Sequence, residues 1–115
     1  MPVRSLTSSV LSWPEQATVQ RAASAFAREL KKNYPEVQAV GYFGSYARGD
    51  WGVGSDLDLL VIAQTSAEFS ERSYSTNTLP VACDVIVYTP SEWRNIQKQA
   101  SRWSETLKRE LIWLA

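Results

Sequence analysis

Two aspartates stand two residues apart at the start of an apolar run that is typical of a β-strand. Side chains alternate across a strand, so the carboxylates of Asp56 and Asp58 leave the same face. Like charges held this close repel each other, which raises the pKa of one carboxyl unless a cation lies between them. Hard oxygen ligands select Mg²⁺ or Mn²⁺, so the pair predicts a divalent metal site.

A third carboxylate lies in another β-branched run, over residues 81–87. Asp84 is unfavourable there if it is buried without a partner. If this strand lies beside the one that follows Asp56, Asp84 faces the aspartate pair. Three carboxylates can hold two ions about 3.5–4 Å apart and clamp an in-line displacement at phosphorus. In the alternative, Asp84 pairs with a buried arginine such as Arg48, and Asp56 and Asp58 only shape a turn.

A glycine and a serine directly follow the first apolar strand. Gly44 lets the backbone approach an anion, and the N–H groups and hydroxyl around Ser45 can hold phosphate. The Arg48 guanidinium can form a bidentate contact with phosphate. In the alternative, Arg48 only holds the loop in place and Ser45 only caps the following turn. Gly49 and Ser55 complete the predicted set. A phosphate cradle beside a metal-binding pair suggests a nucleoside triphosphate with Mg²⁺.

Composition excludes several other kinds of site. The chain has 115 residues, which favours one domain over 1–115, and 12 basic residues balance 12 acidic ones, so no direct nucleic-acid binding is expected. It has no histidine, which excludes histidine bases and ligands, and the single Cys83 excludes an internal disulfide. No apolar run is long enough for a membrane span or a signal peptide, so a cytoplasmic protein is expected.

The elements that must position these residues follow from periodicity and capping signals. The order is helix, strand, loop, strand, variable segment, strand and helix, which predicts an α/β (α+β) domain with a small mixed sheet of three or more strands flanked by helices. The predicted bounds are a helix from a capping box at Ser12 and Glu15 to Asn33, strands over 37–43, 57–62 and 79–88, a glycine loop over 44–55, a helical turn over 67–72, and a last helix from a capping box at Thr89 and Glu92 to the end.

The end of the chain predicts a contact surface. Leu111, Ile112, Trp113 and Leu114 are four apolar residues in succession, and one helix cannot turn all of them inward. Tryptophan is favoured at interfaces. The C-terminal helix is therefore expected to contact a second copy of the chain or a partner protein.

The chemical segment resembles a known signature. Gly44-Ser45-x-Ala47-Arg48-Gly49, six further residues and Asp56-x-Asp58-Leu59 resemble the nucleotidyltransferases related to DNA polymerase beta, and the Ala-Arg-Gly version resembles the minimal nucleotidyltransferases. The resemblance implies that family's fold. It also implies that Asp56 and Asp58 hold two Mg²⁺ ions, that Asp84 holds the catalytic ion and helps to deprotonate the attacking hydroxyl, and that Gly44 and Ser45 bind the triphosphate.

The same resemblance implies a partner. Many minimal nucleotidyltransferases are encoded beside a small helical HEPN-type ribonuclease toxin and act as its antitoxin, transferring AMP from ATP to a tyrosine of the toxin. Two alternatives stay open. The protein could neutralise its toxin by binding alone, or it could adenylylate a small molecule in a pocket that a partner chain completes.

Overall fold

The computed structural model describes residues 15–64, 76 and 78–115. Their elements are α1 (Gln16–Asn33), β1 (Val37–Phe43), α2 (Ser45–Arg48), β2 (Leu57–Ala63), β3 (Cys83–Tyr88), α3 (Pro90–Lys98), α4 (Arg102–Glu110) and β4 (Ile112–Trp113). The four strands form one sheet in the order β3-β2-β1-β4, in which β2 and β3 are parallel and the other two pairs are antiparallel. The predicted α/β class with a mixed sheet is confirmed. Among the described helices, none is both long and apolar enough to cross a membrane.

Helices cover both faces of the sheet. The amphipathic helix α1 buries one stripe against the first face, and its buried residues are Val19, Ala23, Phe26, Ala27 and Leu30. Helices α3 and α4 cover the second face, where Leu107 packs with Phe43, Leu60 and Ile62. The site residues must therefore lie at an edge of the sheet or at a strand end.

Strand β2 is apolar on both sides, which explains its continuous hydrophobic run. Leu57, Leu59 and Val61 belong to the core beneath α1, whereas Leu60 and Ile62 belong to the core beneath α3 and α4. Full burial of such a side chain contributes roughly 1.5–3 kcal/mol. By the same alternation, Asp58 faces the side of α3 and α4.

Three predicted boundaries differ from the structure. Helix α1 begins at Gln16 with Glu15 as its N-cap, so Glu15 is not the third helical residue, while Ser12 and the predicted turn over 67–72 lie outside the described residues. Residues 45–48 form a helical turn inside the predicted loop. Strand β3 begins at Cys83 rather than at 79, because residues 79–81 bend before they reach the sheet.

The predicted last helix is two helices. The capping box at its start is confirmed, because the Thr89 hydroxyl accepts from the Glu92 N–H and the Glu92 carboxylate accepts from the Thr89 N–H. The helix then ends at Lys98, and Ser101 caps the next one by accepting from the Ser104 N–H at 3.1 Å. Residues of both helices pack on the core at the same face of the sheet.

The apolar end of the chain is not helical. β4 pairs antiparallel with β1, with Gly41 opposite Trp113 and Tyr42 opposite Ile112. Ile112 and Trp113 are 41% and 46% exposed, whereas Leu114 packs against the core beneath α1. The prediction that these residues belong to a C-terminal helix is therefore wrong, because they extend the sheet. The predicted contact with another chain stays a prediction.

Candidate active site

Two of the predicted acidic residues lie side by side on parallel strands. Asp58 of β2 is the register partner of Asp84 of β3, so both carboxylates leave the same face of the sheet. The predicted placement of the third strand beside the second is confirmed. Asp56 lies one residue before β2 and is exposed. The three aspartates thus surround the start of the β2–β3 pair.

The negative charges of Asp56, Asp58 and Asp84 repel one another. Burial raises the pKa of Asp58 above its ordinary value, and repulsion from Asp84 and Asp56 raises it further, whereas Arg48 lowers it. Among the described residues no three acidic or cysteine side chains already converge as a complete ligand set for a metal ion. The oxygen donors and the repulsion at Asp58 nevertheless fit a divalent cation, because a cation would relieve that repulsion.

The turn between β1 and α2 lies directly against Asp58. Gly44 has φ 84° and ψ −155°, a backbone conformation that side chains strongly disfavour. A Cβ at this position would lie 3.2 Å from the Asp58 Cγ and closer still to its Oδ2. Glycine is therefore required here for two separate reasons. Ser45 follows as the first residue of α2 and is half-buried.

Two other predicted nucleotide-binding residues shape the loop. Gly49 ends α2 in the left-handed conformation, with φ 89° and ψ 7°, and its N–H donates to the Ser45 carbonyl at 2.9 Å. The Ser55 hydroxyl accepts from the Gly52 N–H at 2.8 Å, which closes the turn over 52–55. The structure thus gives both residues a local role in the backbone.

Arg48 is held by two carboxylates. Its Nε donates to Asp50 Oδ2 at 3.0 Å, and its Nη1 donates to Glu110 Oε1 at 3.1 Å. These two hydrogen bonds raise the pKa of the guanidinium, a group that is charged throughout the physiological range in any case. Arg48 therefore pairs with Asp50 and Glu110 rather than with Asp84, and the geometry favours the loop clamp that the sequence left open.

Glu110 is the residue at this corner that the sequence patterns did not single out. Its side chain is 7% exposed, and its Oε1 also accepts from the Gly44 N–H at 3.2 Å. Two signals were present in the sequence. Position 110 falls on the inward stripe that contains Trp103 and Leu107, and a carboxylate in the last turn of a helix opposes the helix dipole.

Helix α1 anchors the glycine turn from the opposite side. Tyr46 is fully buried, and its ring stacks on Trp51 with centroids 5.7 Å apart. The Gln16 side chain at the start of α1 donates to the Tyr46 carbonyl at 2.7 Å. The turn is therefore held by contacts with α1, β2 and α4.

Comparison with known proteins matches this arrangement to a family. The family model described as "Nucleotidyltransferase domain" matches residues 23–109, a range that includes all eight site residues predicted from the sequence and ends one residue before Glu110. "Putative protein adenylyltransferase MJ1215" of Methanocaldococcus jannaschii is 36% identical over 63 residues, which are 51% of this chain and 72% of that protein.

The fold is shared with a solved structure. The crystal structure of a "putative nucleotidyltransferase" from Sulfolobus solfataricus is similar at a TM-score of 0.55 and 26% identity, over 70% of this chain and 75% of that one. A crystal structure of a toxin-antitoxin with AMP-PNP gives a TM-score of 0.49 at 15% identity, over 89% and 73% of the two chains. On the extent of the family match, this chain belongs to the nucleotidyltransferase domain family.

Proposed function

We propose that this chain is a Mg²⁺-dependent nucleotidyltransferase, a single domain that transfers AMP from ATP to a hydroxyl of another protein. Asp56, Asp58 and Asp84 are its proposed metal-binding and catalytic residues, and Gly44 and Ser45 bind the triphosphate. The observation that supports this most directly is the position of Asp58, which touches Gly44 on one side and is paired in register with Asp84 on the other.

The reaction follows from the chemistry of these side chains. The acceptor hydroxyl oxygen attacks the α-phosphorus of ATP. The bond from the α-phosphorus to the oxygen that bridges it to the β-phosphorus breaks, and pyrophosphate leaves with the electron pair. The hydroxyl proton passes to the carboxylate of Asp84, which is exposed and open to an incoming acceptor. Asp56, Asp58 and Asp84 would hold the Mg²⁺ ions, which would supply positive charge against the charge that develops on the phosphates. The Gly44 turn orients the triphosphate beside Asp58.

The proposed acceptor is a protein rather than a small molecule. The relative from Methanocaldococcus jannaschii carries the name "Putative protein adenylyltransferase MJ1215", which favours a protein acceptor. The resemblance of the segment from Gly44 to Asp58 to the minimal nucleotidyltransferases points to a tyrosine of a HEPN-type toxin. This chain is then the antitoxin of that pair.

The test uses mass spectrometry of the intact proteins. The purified chain is incubated with Mg²⁺, ATP and the product of the neighbouring gene. We expect one or more AMP additions to the partner, and none with Asp58→Asn. Glu29→Gln makes the same carboxylate-to-amide change at an exposed position of α1, so it is expected to retain full transfer.

Two outcomes would contradict the proposal. If Asp58→Asn transfers AMP as well as the wild type, the aspartate corner is not the catalytic site. If the wild type neutralises the toxin without any mass change, and Asp58→Asn does so equally well, the protein acts by binding alone. A positive thermal shift with Mg²⁺ and ATP supports nucleotide binding independently of the acceptor, because a ligand that binds only the folded state stabilises it.

A further inference from the structure

The carboxylate of Glu110 touches both ends of the helical turn α2. Its Oε1 accepts from the N–H of Gly44, the N-cap, at 3.2 Å and from Nη1 of Arg48, the last helical residue, at 3.1 Å. A single oxygen therefore fixes the beginning and the end of this turn. Its second oxygen, Oε2, lies 3.9 Å from Nη2 of the exposed Arg109.

The clamp is connected to the acidic corner through the backbone. Gly44 lies between the Glu110 carboxylate, to which it donates, and the Asp58 carboxylate, against which its Cα packs. A shift of α4 would therefore move the Gly44 turn relative to Asp58. The last turn of α4 contributes in this way to the geometry of a site that lies on the sheet.

The charge of Glu110 needs compensation. A buried carboxylate beside a turn that binds triphosphate would repel the ligand, and a buried charge without a partner is strongly unfavourable. Arg48 supplies the opposite charge, and its other hydrogen bond, to Asp50 at 3.0 Å, holds the guanidinium in place. Both groups that accept a hydrogen bond from Arg48 are carboxylates.

We propose that Arg48 and Glu110 act as a pair of positioning residues, in which Glu110 holds the Gly44 turn and Arg48 cancels the charge of Glu110. Arg48 then contributes to nucleotide binding without contacting phosphate. The inference rests on the proposed function, because it concerns the binding of Mg·ATP. It differs from the phosphate-ligand role that the Ala-Arg-Gly segment suggests for Arg48.

Calorimetric titration with Mg·ATP distinguishes a positioning role of Arg48 from a role as a phosphate ligand. Arg48→Gln leaves the charge of Glu110 with only the exposed Arg109 nearby, at 3.9 Å, so we expect the Kd of this variant for Mg·ATP to rise about tenfold or more, which corresponds to ~1.4 kcal/mol or more. Adding Glu110→Gln keeps an acceptor for the Gly44 N–H but removes the charge, so the double variant is expected to return to within about threefold of the wild-type Kd. A phosphate ligand predicts no rescue. A double variant as weak as Arg48→Gln overturns the proposal.

A control variant and a nucleotide-free measurement complete the test. Glu105→Gln makes the same change at an exposed position of α4 and should leave the Kd within about twofold of the wild type. Misfolding of a variant lowers the fraction of protein that binds but leaves the Kd of the folded molecules unchanged.

For the nucleotide-free measurement, the wild type, Arg48→Gln, Glu110→Gln and the double variant are unfolded in urea. We expect the two substitutions to be coupled. The factor by which Arg48→Gln lowers the folding equilibrium constant should be at least about threefold smaller in the Glu110→Gln background than in the wild type. Additive losses overturn the pairing. If the wild type binds no Mg·ATP, the proposed function fails, and this nucleotide-free cycle alone decides whether Arg48 and Glu110 act as a pair.

Discussion

Replacing Gly44 with alanine tests the close approach of the turn to Asp58. The φ of 84° and ψ of −155° make a side chain unfavourable by about 1–3 kcal/mol. The new Cβ would also overlap the Asp58 carboxylate, and such overpacking adds about 1–3 kcal/mol. The expected loss in the free energy of unfolding is therefore about 2–6 kcal/mol, or roughly 8 °C or more in Tm for a domain of this size.

The other loop glycines supply matched controls. Gly49 has a positive φ of 89° but nothing within 4 Å of an added Cβ, so Gly49→Ala measures the backbone effect alone, about 1–2 kcal/mol. Gly52 has open space and no positive φ, so Gly52→Ala is expected to be within about 0.5 kcal/mol of the wild type. The assay is urea unfolding followed by tryptophan fluorescence. Each variant is also titrated with Mg·ATP, and Gly44→Ala should bind the most weakly.

Two results would refute the explanation. If Gly44→Ala destabilises the protein no more than Gly49→Ala, the overlap with Asp58 is absent. The second result comes from the Asp58→Ala background, where the obstructing carboxylate is gone. There the effect of Gly44→Ala should shrink to the backbone contribution alone, about 1–3 kcal/mol. An unchanged effect would show that the backbone conformation alone makes glycine necessary.

Three further outcomes follow from the structure. Asp58→Asn is expected to raise the Tm of the nucleotide-free protein at pH 7, because a carboxylate whose pKa is raised in the folded state destabilises that state once it is ionised. The Tm values of the two proteins should converge as the pH falls below 3.8, the ordinary pKa of an aspartate, and equal Tm values at pH 7 would contradict the prediction. Deleting residues 112–115 abolishes the cooperative thermal transition, since β4 pairs with β1 and Leu114 packs on the core; a cooperative melt with weakened self-association would favour a contact surface instead. Gly41→Ala lowers the urea midpoint by more than Gly52→Ala does, because its Cβ would lie 2.9 Å from the Ile112 carbonyl oxygen, and an equal midpoint would mean that β4 moves freely.

Local patterns predicted the elements whose signals are local. Strand β1 has the predicted bounds, 37–43, because an apolar run there ends in a glycine. Helix α1 ends at Asn33, as predicted from the Asn and Pro that follow its apolar stripe. The capping box at Thr89 was predicted because its side-chain and backbone groups lie within four residues of one another.

The missed features depend on distant contacts or on weak local signals. The apolar spacing from Ile96 through Ala100 to Trp103 continues across the break between α3 and α4, and no glycine or proline marks it. β4 is only two residues long and exists because β1 offers it a free edge. For the site, the strand parity of Asp58 and Asp84 was predictable. The role of Glu110 was not, because it depends on where α4 docks.

The clamp between Gly44 and Glu110 joins residues 66 positions apart in the chain. The antiparallel pair of β1 and β2 needs the closure of only the 13 residues between the strands, 44–56, so it can form early in folding, whereas a contact of such sequence separation has a larger loop-closure entropy to overcome. The strands and the Asp56–Asp58 segment can therefore be assembled while the glycine turn still lacks its final shape. A chain emerging from the ribosome gains the final shape of this turn only when α4 has been synthesised and has docked. Under the proposed function, nucleotide binding is then a late event in the folding of the chain.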